Sequence, residues 1–193
     1  MTDGEGPEIA PISWCDAEPA RFQRDKAEVE ALFPDLIFVP PGRSHADVLL
    51  PHGGWYGVLP IWPFERPQPD GVEGLVDGTG LEFVLEYPAA YPMIAPTIQP
   101  LSPEPEIGER TQATWHVLPA GGLCMLQTTG AWIPEASITD LLLKAAGWRI
   151  EYALMKARTI EKMSEAGIVS DDSSDHLLQA SPAGESAAGD GGA

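Results

Sequence analysis

The sequence predicts an α+β domain: an N-terminal helix, a four-stranded antiparallel meander, an irregular segment holding a cysteine, and one long C-terminal helix. Three observations predict it. Sixteen of the 20 prolines lie between Pro34 and Pro134, and none lies between Glu135 and Ser181. Interior proline removes a helical hydrogen bond and clashes with the preceding turn, so the middle of the chain cannot be mainly helix while the stretch after it can. Four short β-branched and aromatic runs sit inside the proline-rich part, separated by turn residues. Sequential strands joined by turns favour a meander over βαβ units.

Residues 1–15 are expected to form a flexible lead, 16–167 the folded domain and 168–193 a disordered acidic tail. The first helix should run from about Glu18 to Phe33. Pro19 suits its first turn, where the missing N–H costs nothing, and Pro34 stops it. Phe22, Val29, Leu32 and Phe33 fall on one stripe, with Arg21, Arg24, Lys26, Glu28 and Glu30 around them. The strand candidates are Leu36–Val39, Trp55–Trp62 with Pro60 confining it to an edge or bulge, Leu81–Tyr87 with alternating Leu81, Phe83, Leu85 and Tyr87, and Thr97–Leu101. The Gly-, Pro- and Asp-rich stretch Glu65–Gly80 reads as an exposed connection. The long helix should open at Ser137, a candidate N-cap with Asp140 three residues on, and run to about Ala166 before Gly167. Ile138, Leu141, Leu142, Ala145, Trp148, Arg149 and Tyr152 supply its helical period. The tail from Ser170 has five acidic residues and no Lys or Arg, a composition that does not bury a core.

Composition narrows the function. The 193 residues include 29 Asp+Glu against 11 Lys+Arg, a formal charge of −18, with 44% hydrophobic residues. That is enough apolar content for a core. It is the wrong sign for nucleic acid or an anionic membrane surface. No apolar run approaches a spanning helix, and the acidic N-terminus lacks a secretory signal. Cys15 and Cys124 are too few for a disulfide scaffold, which points to the cytoplasm with both thiols reduced. His45, His52 and His176 are scattered, no Cys/His spacing fits a metal, and no phosphate-cradling glycine motif is present, so no cofactor is expected.

The chemistry should lie between the sheet and the long helix. Cys124 follows Gly121-Gly122-Leu123 in a proline-bounded irregular stretch, where a thiol can be reached from solvent as a nucleophile must be. His116 lies eight residues upstream and could donate to a developing oxyanion. Cys15 stands in the lead with no accompanying motif. A buried thiol is the ordinary state of a free cysteine, so composition alone would not single out Cys124.

The flanking residues single it out. Tyr91-Pro92-Met93-Ile94-Ala95-Pro96, then Gly122-Leu123-Cys124, then Trp132-Ile133-Pro134 eight residues past the cysteine, then Ser137-Ile138-Thr139-Asp140-Leu141-Leu142-Leu143 occur in that order. In these pieces and their spacing the chain resembles the ubiquitin-conjugating (UBC) enzymes, over about Glu18 to Tyr152. The family's His-Pro-Asn triplet is missing; the register of its Asn is held here by His116. The family's last two helices have no evident counterpart after Gly167, and Glu65–Gly80 is a long insertion. The chain thus resembles a divergent bacterial member, of the kind found in antiphage conjugation operons.

The resemblance implies a UBC-like fold and a thioester carrier. An activating-enzyme homologue would pass a ubiquitin-like modifier to Cys124, and an amine of a protein target would then take it. It also implies His116 as oxyanion donor in place of Asn; Trp132, Pro134, Gly122, Tyr91, Pro92 and Pro96 as supports of the active-site segment; and Arg21, Arg24, Lys26 and Met93 as partner-binding positions. The Arg and Lys group also reads as a solvated helix face, and Met93 as core packing. Two other functions compete: a non-catalytic scaffold that keeps the fold, favoured by the missing Asn, and a cysteine hydrolase of modifier conjugates, for which no Cys–His–Asp arrangement is legible.

Overall fold

The computed structural model describes residues 12–45, 47–126, 131–165, 167–170, 172 and 175–179. It is a mixed α+β structure with a four-stranded antiparallel sheet covered by helices, as the sequence predicts. Helix α1 (Trp14–Ala17) leads into α2 (Pro19–Leu32), with Pro19 in its first turn. Strands β1 (Ile37–Val39), β4 (Gly54–Val58), β5 (Glu82–Glu86) and β6 (Thr97–Ser102) form the sheet in the order β1-β4-β5-β6, each pair antiparallel. The row Phe38–Trp55–Leu85–Ile98 faces the main core, where it meets Leu142, Ala145 and Trp148 of the long helix α5 (Ile138–Lys156). Gly54 permits the close β4–β5 approach, since a Cβ there would lie 2.0 Å from the Leu85 carbonyl oxygen.

Five expectations need correction. A hairpin of β2 (Arg43–His45) and β3 (Val48–Leu50) was not legible, because each strand has three residues and β2 carries no apolar one. It covers the other face of the sheet, where Leu50, Val39 and Val84 are buried together. Glu65–Gly80 is not wholly exposed: it contains α3 (Val72–Leu75), and Val72 and Val76 are fully buried. The lead is structured before residue 16, since α1 buries Trp14 against Phe22, Tyr87 and Tyr91, and Cys15 is half-buried on it. The rest of the lead, 1–11, lies outside the described residues.

The long helix stops at Lys156, ten residues short of expectation. Arg158 takes the left-handed conformation at φ 59°, its N–H bonds Met155 O, and Thr159 N–H bonds Leu154 O. That is the Schellman stop, with arginine where glycine is usual. The chain then turns back, burying Met163 and bringing Ser164 to the carboxylate of Glu151, which accepts from its N–H at 3.0 Å and its Oγ at 2.5 Å. The acidic tail is not wholly disordered: helices α6 (Gly167–Ser170) and α7 (Asp175–Gln179) follow. Ile168 and Leu178 are buried with Val72, Val76, Ile150 and Leu154. Arg66, stacked between Trp62 and Phe64, grips both carboxylate oxygens of Asp175 at 2.9 and 3.1 Å and the Ile168 carbonyl at 2.6 Å. Residues 180–193 lie outside the described residues. Among the described residues no helix is long and apolar enough to cross a membrane.

Candidate functional site

Cys124 is placed by a tight hairpin whose turn the sequence dictates. Pro119 suits the second position of a turn, and Gly121 takes φ 96° at its end. Gly121 N–H bonds Leu118 O at 2.8 Å and Leu118 N–H bonds Gly122 O at 2.7 Å. Val117 pairs with Leu123, and Cys124 N–H bonds His116 O at 2.7 Å, so residues 116 and 124 stand opposite each other. Leu123 N–H bonds Ile98 O at 2.8 Å, which fastens the hairpin to β6. Gly122 lies against that strand: a Cβ there would be 3.0 Å from Thr97 Cγ2.

The Cys124 thiol is half-buried and lines a cavity of about 230 Å³ bounded by residues 95–97, Leu118, residues 123–126 and Leu141 of α5. Its hydrogen bond, a long one at 3.8 Å, is to Leu126 O. No basic side chain among the described residues bonds the sulfur. His116 caps α4 (Gln112–Trp115) in the left-handed region at φ 50°. Its carbonyl anchors Cys124, while its imidazole is within electrostatic reach of Glu151. Burial pushes the Glu151 carboxyl up, and the Ser164 bonds and His116 pull against it. The structure therefore joins His116 to Cys124 through the backbone.

No protein-family model, curated protein or solved structure matches the chain.

The expected supports from the Tyr91 turn and from the stretch after the cysteine are tied to each other. Trp132 Nε1–H donates to Pro92 O at 2.7 Å, tying the stretch after the cysteine to the Tyr91–Pro92 turn, whose peptide bond is cis. Pro96 lines the cavity and Pro134 O accepts from Arg21. Met93 is 71% exposed beside Ile94 at 55%, so it is not core.

Arg21 corrects the expected docking face. Its side chain is 7% exposed, since it faces the interior between α2 and the Tyr91 turn. Its Nη2 bonds Tyr91 Oη and, at 2.6 Å, Ala136 O; its Nε bonds Tyr91 Oη at 2.8 Å. Nε also lies 2.8 Å from Asp25 Oδ1, close enough for charge pairing. Its single N–H is directed at Tyr91, so that oxygen has no hydrogen bond of its own. Tyr91 Oη donates to the other Asp25 oxygen at 2.5 Å. Burial pushes the Asp25 carboxyl up against the pull of Tyr91 and Arg21, and pushes the Tyr91 phenol well up too. Arg24 and Lys26 keep partly exposed side chains; Arg24 reaches the carbonyls of Glu135 and Ala136 at 3.0 Å, and Lys26 pairs with Glu30 at 3.6 Å. Asp25 and Glu28 were missed as site residues. The spacing Arg21/Asp25 and Arg24/Glu28, each four apart on a helix, was the available signal. Among the described residues no group of three or more His, Cys, Asp or Glu could hold a metal ion.

Proposed function

We propose that the chain carries a ubiquitin-like modifier as a thioester on Cys124 and passes it to a target amine, in the manner of a ubiquitin-conjugating enzyme. The observation that carries this reading is Cys124 itself: a half-buried thiol at an open cavity, presented by a hairpin, with Trp132 pinned to the Tyr91–Pro92 turn. The order helix, four-stranded meander, cysteine hairpin, long helix supports a UBC-like fold.

The chemistry is two exchanges at one sulfur. The Cys124 thiolate, its proton lost to solvent, attacks the carbonyl of a thioester held by an activating-enzyme homologue. A new S–C bond forms and the donor thiolate leaves. The target amine then attacks the same carbonyl and gives up a proton to solvent, Cys124 thiolate departs, and an amide remains. His116, opposite Cys124 across the hairpin, is the candidate donor to the oxyanion of each step. The bond of Cys124 Sγ to a carbonyl, with no base on it among the described residues, weighs against the cysteine hydrolase. The missing family Asn still favours a UBC-fold scaffold as the second reading.

Incubation with cognate activating enzyme, modifier and ATP tests it. A thiol-labile adduct is expected on the parent, a thiol-stable ester on Cys124→Ser and none on Cys124→Ala. An adduct on Cys124→Ala equal to the parent's overturns the reading. If His116 is the oxyanion donor, His116→Ala slows amine transfer by roughly 100–1000-fold and His116→Asn retains most of it.

A further inference from the structure

Arg21 joins two walls of the Cys124 cavity that come from distant parts of the chain. One wall is residues 95–97, just after the Tyr91–Pro92 turn; the other is Leu141, in the first turns of α5. The guanidinium holds the first through Tyr91 Oη and the second through the carbonyls of Pro134 and Ala136, which lead into the α5 N-cap Ser137. It also lies 5.0 Å from the Tyr91 ring centroid and 5.9 Å from that of Trp132, whose Nε1–H in turn bonds Pro92 O. A planar fork of five donors suits this task; a lysine ammonium offers one point of attachment.

A charged pair this deep is weak evidence of a stabilising role. Replacing a buried ion pair with apolar groups of similar volume is often neutral or stabilising. Arg21 and Asp25 side chains are 7% and 1% exposed. What the pair supplies is direction: Asp25 balances the charge, and the four hydrogen bonds of the fork go twice to the Tyr91 phenol on one side and to the carbonyl oxygens of Pro134 and Ala136 on the other.

We propose that Arg21 is a positioning residue of the Cys124 site, which fixes the separation of the turn wall and the helix wall and so sets access to the thiol. The part concerning thioester transfer rests on the function proposed above; the part concerning access does not. The test uses the full chain in a Cys15→Ser background, so that Cys124 alone reports. Iodoacetamide alkylation is followed in native buffer and at urea concentrations below the unfolding transition, beside the melting temperature. Two variants are compared with the parent. The triple variant Arg21→Met, Asp25→Leu, Tyr91→Phe removes every member of the cluster without leaving a buried charge. Arg21→Lys keeps the charge and loses the fork.

The triple variant is expected to melt no lower than the parent, yet to alkylate about tenfold faster or more through openings that need no global unfolding. Its thioester formation should fall roughly 10- to 100-fold in kcat with little change in KM, the mark of misplacement rather than lost binding. Arg21→Lys should shift both in the same directions by less. If the triple variant fails to fold, Arg21→Lys decides alone. A folded variant that alkylates at the parental rate overturns the proposal. A parent that never accepts a modifier while the alkylation difference persists overturns the proposed function and leaves the positioning role standing.

Discussion

Replacing Leu178 with alanine should destabilise the fold by about 2–3 kcal/mol. The residue lies in α7, inside a stretch whose composition reads as disordered, and it is 1% exposed. It is buried with Val72, Val76, Ile150, Ile168 and Leu154. Losing three carbons from such a site removes about 0.8 kcal/mol each of transfer free energy. The void left behind adds to that, but α7 is a five-residue helix at the edge of the core and can settle inward. The cost therefore belongs at the lower end of the roughly 2–5 kcal/mol seen for buried leucines. For a chain of this length that corresponds to a fall in melting temperature of roughly 4–12 °C. Urea unfolding at constant m-value, beside a thermal melt, measures it. A cost under about 0.5 kcal/mol, the range of an ordinary surface substitution, would refute the reasoning and leave α7 undocked.

Ser137→Ala should cost about 1–2 kcal/mol, because Ser137 Oγ accepts the Thr139 N–H at 3.1 Å and donates to Glu28 Oε2 at 2.6 Å; chemical denaturation of the variant checks it, and an unchanged midpoint counts against the cap. Stability should rise as pH is lowered through the raised folded values of Asp25 and Glu151 toward the unfolded carboxyl values near about 4. Burial raises the carboxyls of Asp25 and Glu151. A group raised on folding contributes fully below its unfolded value, and loses that contribution as pH climbs through the folded one. Glu109 has the opposite sign: burial would push it up, but Lys156, Tyr152 and the Glu106 N–H hold it low. Its contribution is lost as pH falls through its folded value, so a downturn is expected below about pH 4. A thermal melt series in which stability nowhere rises on acidification from neutral pH toward about pH 4 would contradict the assignment of Asp25 and Glu151.

The four sheet strands, α2 and the N-cap of α5 were legible because each is written locally, in alternation, helical period or turn residues, whereas the grouping of Cys124 with Pro96 at one cavity was reached through the resemblance. What was hidden depends on partners far along the chain. Helix α5 ends at an arginine in a glycine conformation, and the segment after it is held by Met163 and by the Ser164–Glu151 bonds. Leu178 reads as a stray leucine among acids until Val72 and Val76 meet it, and those two lie in a stretch that reads as exposed loop. Helix α2 was read in part. Val29 and Phe33 of the expected apolar stripe are buried and Phe22 packs on the core, but Leu32 is 42% exposed and the inner face also holds Arg21 and Asp25. Hydrophobic periodicity finds the helix and most of its inner face but leaves out a charged pair that shares the core side.

The burial of Arg21 and Asp25 changes how a partner can meet the chain. Helix α2 carries three basic and three acidic residues. Arg21 is enclosed with Asp25, Arg24 turns to the carbonyls of Glu135 and Ala136, and Lys26 faces Glu30. The helix therefore presents a nearly balanced surface on a chain of formal charge −18. Long-range steering by α2 is weak in that case, since a field at a distance follows net charge rather than the count of lysines and arginines. Apolar contact remains available at Met93 and Ile94, which precede the cavity-lining Ala95, and at Ile133, all three more than half exposed. The Trp132–Pro92 bond holds the two segments that carry them together. A partner that reaches the cysteine would gain more from covering these three side chains than from pairing with α2, because each apolar surface removed from water contributes without the desolvation cost that an exposed ion pair must first offset.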